Sequence, residues 1–206
     1  MTDFEAVAGL PEHFQSEYGN VDGLINDAGT IQSFVNINAL DFAEIKRVMD
    51  NNFYGMVYMT KAFLPYLLQR PEALIVNFSS MGGFLPVPGQ GVYGVSKAAV
   101  KLFTEALFAE LLSTKVQVSL VFPGAVNTNI AVNSGVLIDA ALAEKGGEKF
   151  KPMPPSQAAQ VIVEGIEKEK YHIFLGSDAK FMNILCRLAP KFATKYIAKQ
   201  MALLLG

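Results

Sequence analysis

The chain has 206 residues, of which 51% are hydrophobic and 17% are charged, so its length and composition predict one globular domain with a sizeable core. Its 17 basic and 19 acidic residues give a net charge of −2, which excludes the basic surface typical of a nucleic-acid-binding protein. The single cysteine, Cys186, excludes an internal disulfide and a cysteine-based zinc site and is consistent with a reducing cytosol.

Two stretches without charged residues, 73–96 and 116–138, are long enough to span a bilayer. Prolines and glycines interrupt both stretches, so we interpret them as buried strands that run into loops and predict no transmembrane helix. The acidic N-terminus lacks the apolar segment of a secretory signal. We therefore expect a cytoplasmic protein.

Helical and strand patterns alternate in the first half of the chain. Thr2-Asp3-Phe4-Glu5 has the spacing of a capping box, which predicts a helix with Thr2 as its N-cap that ends near Gly19. An apolar run over 21–25 predicts a short strand, and apolar residues at helical spacing predict a helix over 41–68. A strand over 73–78 and a helix over 92–112 follow, with a loop of Ser, Gly and Pro between them.

The second half continues the alternation. We predict a strand over 116–122, irregular structure over 126–153, a helix from Pro155 to about Lys168, a strand over 171–175 and a helical tail from about Lys180. Short apolar strands that alternate with helices indicate parallel strands linked by helical crossovers. The sequence therefore predicts an α/β domain.

Tyr93 and Lys97 are four residues apart, so on a helix they share one face. A tyrosine with its ordinary pKa of about 10 is a poor acid–base group near neutrality, but a nearby ammonium favours the phenolate and lowers that pKa. Tyr93 could then exchange a proton with an alcohol or carbonyl oxygen. Ser80, after a predicted strand, could hold the same oxygen, whereas Ser79 would face the opposite way in an extended segment. The Y-x-x-x-K pair alone also arises by chance on many helices.

The pair is one of several motifs, which stand in the sequence as NDAG, DNNFYG, IVNFSS, YGVSK and PGAVNT. Their order, spacing and placement closely resemble the short-chain dehydrogenase/reductase family. The resemblance covers residues 2–130 well and 154–176 moderately. It implies a Rossmann-like, doubly wound parallel sheet that retains the family's strands 4 to 7.

The resemblance also implies roles for individual residues. Tyr93 would be the acid–base, Lys97 would lower its pKa and bind the nicotinamide ribose, and Ser80 would steady the substrate oxygen. Asn52 would hold a water in a proton relay. The implied cofactor-binding residues are Asn26, Asp27, Ala28, Gly29, Tyr93, Lys97, Pro123, Gly124, Val126 and Thr128. The implied reaction is reversible hydride transfer between NAD or NADP and a carbonyl/alcohol pair.

The sequence departs from the family at its start. The family's glycine-rich turn, T-G-x-x-x-G-x-G, which cradles the cofactor pyrophosphate, is not found in it. Alignment places Thr2-Asp3 just after the family's third strand, so we expect an N-terminally truncated domain over 1–206 with an exposed apolar strand edge. One hypothesis is a truncated gene model or a fragment of a longer enzyme. The alternative function is an inactive fragment or pseudo-enzyme that acts as a scaffold or binding partner.

Residues 126–153 take the place of the family's substrate loop, and their apolar residues, with Phe84, Leu85 and Val87, indicate an apolar small-molecule substrate. The resemblance implies a homodimer or homotetramer built through 41–68 and 92–112. The tail, 180–206, is amphipathic, with basic residues every four positions. It could close over an apolar pocket, pack on a sister subunit, or lie on a membrane surface. The two histidines are far apart in the sequence, so we expect no metal site.

Overall fold

A computed structural model describes residues 2–136 and 152–202, which build a four-stranded parallel sheet. Its strands are β1 (Gly23–Asn26), β2 (Ala73–Phe78), β3 (Val116–Pro123) and β4 (His172–Leu175), and they lie side by side in that order. Leu24, Ile75 and Val118 occupy matching positions on the first three strands. The predicted α/β arrangement of parallel strands is confirmed.

Helices connect the strands. They are α1 (Phe4–Ala8), α2 (Leu10–Tyr18), α3 (Phe42–Met49), α4 (Gly55–Leu67), α5 (Gly91–Leu111), α6 (Ile130–Asn133), α7 (Pro155–Glu167), α8 (Ser177–Leu188) and α9 (Pro190–Met201). A wider π-helical turn, Asp50–Tyr54, joins α3 to α4, and 3-10 turns span Ile37–Ala39 and Met81–Gly83. The helices predicted over 41–68, 92–112 and 155–168 are thus confirmed, the first of them with an interruption.

Helices cover both faces of the sheet. On one face, Ile75 of β2 packs in a cluster with Leu67 of α4 and Leu111 of α5. On the other face, Val121 of β3 packs in a cluster with Ala158 of α7. Successive residues of a strand point to opposite faces, so a sheet that is covered on both faces needs strands that are apolar along their whole length.

The first helix differs from the prediction. Asp3 is its N-cap, because the Asp3 carboxylate accepts a hydrogen bond from the Ala6 N–H at 3.3 Å, so the capping box headed by Thr2 was wrong. The helix also divides at Gly9 into α1 and α2. Pro11 stands in the first turn of α2 and has no N–H to donate to the preceding turn, which explains the division.

The segment predicted to be irregular, 126–153, contains the short helix α6, and Val126 pairs with Met153 in a parallel bridge. Residues 137–151 of that segment lie outside the described residues. Among the described residues β1 pairs with β2 alone and is an edge strand, and its Ile25 side chain is 57% exposed. No helix in the described ranges has the length and apolar content needed to cross a bilayer.

The predicted helical tail is confirmed as α8 and α9, apart from residues 203–206, which lie outside the described ranges. Both helices pack on the loop that follows β2. Met182 of α8 and Ala193 of α9 are buried in one cluster with Leu85 of that loop. Three arrangements were considered for the tail. The structure shows the first of them, because the inner faces of α8 and α9 pack over the apolar loop.

Candidate active site

The carboxyl ends of three neighbouring strands carry most of the predicted site residues. Residues 26–29 end and follow β1, Ser79 and Ser80 follow β2, and Pro123-Gly124 end β3. Helix α5 packs against β2, β3 and the turn Met81–Gly83, and it brings Tyr93 and Lys97 to the same edge. Ligands of open parallel sheets bind outside the carboxyl ends of the strands, so this edge is the candidate site.

Ser79 and Ser80 point in opposite directions, as predicted, because the backbone is still extended at Ser80 (φ −167°, ψ 164°). The Ser79 hydroxyl donates to the backbone carbonyl of Lys97 at 2.8 Å and is buried. The Ser80 hydroxyl accepts from the Gly82 N–H at 3.1 Å and lies next to the Tyr93 side chain. Ser79 therefore anchors helix α5, and Ser80 shares the site with Tyr93.

Lys97 is only 4% exposed, and its Nζ donates to the backbone carbonyl of Phe78 at 2.9 Å. Burial lowers the pKa of Lys97 to about 8, while the nearby Asp27 carboxylate acts in the opposite direction. An ammonium has three N–H donors, and the hydrogen bond to Phe78 uses one of them. At neutral pH the site therefore holds a buried positive charge with donors left for a ligand.

Burial raises the pKa of Tyr93, and its hydrogen bond with Ser80 only partly offsets this effect. This outcome differs from the expectation that Lys97 lowers the pKa of Tyr93. The reason is that loss of water around the phenol outweighs the other contributions, while the Lys97 amine is directed to the carbonyl of Phe78. At neutral pH Tyr93 is therefore a protonated phenol, the form that can donate a proton.

Asn52 lies in the π-helical turn and is buried, with 1% exposure. Its Oδ1 accepts from the Thr30 N–H at 2.7 Å, and its Nδ2 donates to the Thr30 carbonyl and to Ser96 Oγ, both at 2.9 Å. Ser96 Oγ in turn donates to the backbone carbonyl of Tyr93 at 2.7 Å. Asn52 thus ties the loop after β1 to the helix that carries Tyr93.

The four residues after Ile25 differ in position. Asp27, Ala28 and Gly29 are exposed at the open edge, whereas Asn26 is buried and its Nδ2 donates to Asn77 Oδ1 in the core at 2.8 Å. A β-carbon built on Gly29 would lie 3.2 Å from Lys97 Nζ. Gly29 therefore allows the Lys97 amine to approach the loop closely, and Asn26 fixes the spacing of β1 and β2 from inside the core.

The loop after β3 is held by Asp178, a residue that the sequence analysis did not single out. Its carboxylate accepts from the Ala125 N–H at 3.1 Å, and a β-carbon built on Gly124 would lie 2.5 Å from it. Val126 packs against the core beneath the sheet, and Thr128 is exposed. Among the described residues, no hydrogen bond joins this loop to Tyr93 or Lys97.

Gln32 is a second residue that sequence reasoning missed. It is completely buried, and its Oε1 accepts from the N–H groups of Val92 at 2.8 Å and Tyr93 at 3.0 Å. Its Nε2 donates to the carbonyl of Gly89 at 2.9 Å. The N-cap residue of α5, Gln90, makes no capping bond with its own side chain. Helix caps are usually supplied by the adjacent residue, so a cap from a distant loop leaves no local sequence signal.

A groove of about 660 Å³ lies beside these residues. It is lined mainly by the apolar loop from Phe84 to Pro88 and by the first turns of α5, and Thr194 of α9 also lines it. Gly82 also lines the groove, and a β-carbon built on it would lie 3.3 Å from the ring of Tyr93. The groove therefore flanks the tyrosine and offers an apolar surface next to it.

Known proteins share both sequence and fold with this chain. The family model described as short chain dehydrogenase matches residues 1–135. The protein named "Putative oxidoreductase SadH" from Mycobacterium tuberculosis is 34% identical over 203 residues, which are 96% of this chain and 73% of that protein. The 3-ketodihydrosphingosine reductase of Bacteroides thetaiotaomicron is 34% identical over 199 residues, which are 95% of this chain and 70% of that enzyme.

A solved structure shows the same fold. A short chain dehydrogenase from Burkholderia cenocepacia, in complex with NADP, superimposes with a TM-score of 0.78 over 95% of this chain and 75% of that chain, at 21% identity. At that identity the likeness concerns the fold alone, which is Rossmann-like. The family match and the two relatives concern the sequence itself. The chain therefore belongs to the short-chain dehydrogenase/reductase family of oxidoreductases.

Proposed function

We propose that the chain interconverts a carbonyl and an alcohol on an apolar small molecule, with NAD or NADP as the redox partner and Tyr93 as the acid–base. The observation that carries this proposal is that the Ser80 and Tyr93 side chains lie next to each other, with the buried amine of Lys97 one turn further along α5. Two hydroxyls that meet at a strand end can both reach one substrate oxygen. A buried cation nearby stabilises the phenolate that forms when Tyr93 gives up its proton.

In the direction of carbonyl reduction, each site residue has a separate role. The Tyr93 phenol donates its proton to the substrate oxygen as negative charge develops there, and the Ser80 hydroxyl donates a hydrogen bond to the same oxygen. The Lys97 ammonium uses its remaining N–H donors on the ribose next to the nicotinamide and stabilises the phenolate. The bound nicotinamide supplies the hydride. Asn52 keeps Tyr93 and the loop at Gly29 in register.

The residues at the open edge fit the nicotinamide half of the cofactor. Gly29 leaves space above Lys97, and Gly124 lets the loop after β3 run close to the start of α8. The same fold binds NADP in the Burkholderia cenocepacia enzyme, which supports a nicotinamide cofactor of either kind. These groups form the smaller part of a dinucleotide site, because they do not include donors for the pyrophosphate.

The sequence as given contains no T-G-x-x-x-G-x-G turn. Hydrogen bonds to charged groups contribute about 1.5–3 kcal/mol each. Two or three fewer such bonds to the pyrophosphate weaken binding by roughly 3–9 kcal/mol, or about 10²- to 10⁶-fold. Cofactor affinity is therefore the property that separates an active enzyme from the alternative of an inactive fragment or scaffold.

The groove beside Tyr93 supports an apolar substrate, since the apolar segment Phe84–Pro88 forms part of its wall. One relative is named for the reduction of 3-ketodihydrosphingosine, which is consistent with a ketone as the group reduced here. For a homodimer or homotetramer built through 41–68 and 92–112, the second segment offers Val95 and Leu102, which are 58% and 68% exposed on α5. These two residues lie two helical turns apart and share one face.

The experiment titrates the 206-residue chain into NADH and, separately, NADPH, and follows nicotinamide fluorescence. The chain has no tryptophan, so the emission of the cofactor is a clean signal. We expect weak but saturable binding. We also expect turnover of an apolar ketone such as 2-decanone, which is lost in Tyr93→Phe but kept in Tyr18→Phe, whose ring is 73% exposed on α2. A folded chain that binds neither cofactor contradicts the enzyme function, and equal turnover of Tyr93→Phe contradicts the assigned acid–base.

A further inference from the structure

The outward side of the C-terminal helices carries a set of exposed apolar side chains. On α8, Phe181, Ile184 and Leu188 are 61%, 57% and 80% exposed. Spacings of three and four residues place them in one stripe along the helix. Phe192, in the first turn of α9, is also 61% exposed. We call these four residues the C-terminal apolar face.

The contact of these helices with the rest of the described chain does not use this face. Met182 and Ala193 are the residues that α8 and α9 bury against Leu85 and the loop after β2. The two helices therefore have two apolar sides, an inner one that is buried in the core and an outer one that is exposed to water. Contiguous exposed apolar patches mark interaction sites.

Basic residues surround the C-terminal apolar face. Within residues 177–201 there is one acidic residue, Asp178, and five basic residues, so the segment carries 5 − 1 = +4 in a chain whose net charge is −2. The five basic residues are all exposed: Lys180, Arg187, Lys191, Lys195 and Lys199. No ion pair within the described ranges uses any of the five. The one carboxylate is turned inward to the Ala125 N–H.

We propose that α8 and α9 form a docking surface for an anionic lipid membrane. Helices with aromatic and aliphatic residues on one side and lysines beside them lie in the headgroup region, with the apolar side in the acyl boundary and the cations on anionic headgroups. Phe181, Ile184, Leu188 and Phe192 insert, and the five cations hold the helices on the surface.

The charge of the two helices favours a membrane over a second copy of the chain as the binding partner. A symmetric dimer through this face would place two segments of charge +4 against each other, and like charges brought together at an interface oppose association. An anionic bilayer supplies the complementary charge and an apolar layer together, which matches both features of the face. The partner of the C-terminal apolar face is therefore a membrane surface with anionic headgroups.

Docking in this orientation would place the groove beside Tyr93 near the membrane. Thr194 of α9 lines that groove, and Leu85 of its loop is buried against both tail helices. An apolar substrate dissolved in the bilayer would then have a short path to the site. This last step rests on the proposed function, whereas docking itself does not.

The test is flotation of the full chain with phosphatidylcholine vesicles that contain phosphatidylglycerol, compared with pure phosphatidylcholine vesicles. We expect binding to the anionic vesicles only, weakening as salt is raised because exposed charges are screened. Phe181→Ser/Ile184→Ser and, separately, Lys191→Gln/Lys195→Gln are each expected to weaken binding by about 10- to 30-fold. All four positions are exposed, so the fold is expected to persist.

Matched controls change equally exposed residues elsewhere. Phe42→Ser/Leu112→Ser removes two apolar side chains that are 86% and 69% exposed, and Lys61→Gln/Lys115→Gln removes two exposed lysines. Both controls are expected to float like the wild type.

The proposal is overturned if the wild type fails to float with anionic vesicles or floats equally with neutral ones. It is overturned as well if the control variants lose binding to the same extent as the variants of α8 and α9. It is also overturned if sedimentation shows a self-associated chain that Phe181→Ser/Ile184→Ser dissociates. None of these outcomes affects the cofactor titration.

Discussion

The buried side chain of Gln32 accepts a hydrogen bond from the backbone N–H of Tyr93 at 3.0 Å, so the loop after β1 caps the helix that carries the acid–base. The same carboxamide bonds to Val92 and to Gly89, and the Gln32 carbonyl accepts from Gln90 Nε2 at 2.7 Å. The first helical residues of α5 are therefore positioned by a residue that would contact neither substrate nor cofactor in the proposed reaction. Gln32 is a positioning residue for Tyr93.

Gln32→Leu removes the cap and leaves the N–H groups of Val92 and Tyr93 and the Gly89 carbonyl without this partner. An unsatisfied buried polar group costs about 1–3 kcal/mol, so we expect a lower free energy of unfolding in urea. In steady-state kinetics we expect kcat to fall more than KM changes, because the first turn of α5 no longer holds the phenol in place. Gln32→Glu keeps an acceptor at the helix N-terminus, where negative charge is favourable, and is expected to recover part of kcat.

The control for Gln32 is Gln69→Leu. The Gln69 side chain is exposed, and within the described ranges its one hydrogen bond goes to the Pro65 carbonyl one turn earlier, at 3.0 Å. We expect its stability and kinetics to match those of the wild type. If Gln32→Leu lowers stability but leaves kcat unchanged at a temperature where it is folded, the residue stabilises the fold without positioning Tyr93.

The altered pKa of Lys97 should be visible as a pH dependence of stability. Burial lowers this pKa from 10.5 in the unfolded chain to about 8 in the folded protein. Below about pH 8 both states bind the proton, so the cost of burying the charge is constant. Between about pH 8 and pH 10.5 the unfolded state binds more protons than the folded state, so the free energy of unfolding rises with pH.

We expect the free energy of unfolding of the wild type, relative to Lys97→Met, to rise by about 1 kcal/mol between about pH 8 and pH 9. Subtracting the variant removes the contributions of other titrating groups. Lys61→Met, at an exposed position, should show no such rise against the wild type. A flat difference for Lys97→Met would mean that Lys97 keeps its ordinary pKa in the folded protein.

The sequence was sufficient to predict which strands form and where their functional ends meet. Apolar runs such as 73–78 are local signals, and the parallel arrangement of alternating strands and helices brings their carboxyl ends to one edge. The positions of Ser80, Tyr93 and Lys97 at that edge follow from the same two facts. The opposite directions of Ser79 and Ser80 follow from the period of an extended chain.

The remaining features depend on contacts between distant parts of the chain. Asn26 was assigned to the cofactor from its motif, but its amide bonds to Asn77 in the core, a contact that only the register of β1 and β2 determines. The raised pKa of Tyr93 depends on how completely α5 and its neighbours exclude water. The role of Asp178 depends on α8 meeting the loop after β3, 53 residues earlier. Local patterns carry no information on such pairings.

Gly83 is expected to be essential because the turn after β2 touches the backbone of α5 there. A β-carbon at Gly83 would lie 2.6 Å from Ser79 Oγ and 2.9 Å from the Lys97 carbonyl, the two atoms that share a hydrogen bond of 2.8 Å. Gly83→Ala must break that bond or push the turn away from α5. Overpacking of this kind costs about 1–3 kcal/mol, and we expect a lower unfolding midpoint by far-UV circular dichroism together with a loss of turnover.

Gly9→Ala is the matched control, since a β-carbon there meets nothing within 4 Å and the backbone is already helical (φ −81°, ψ −10°). It should raise stability by about 0.4–1 kcal/mol by restricting the unfolded chain. Equal stability of Gly83→Ala and wild type would show that the turn can move away from α5 without cost.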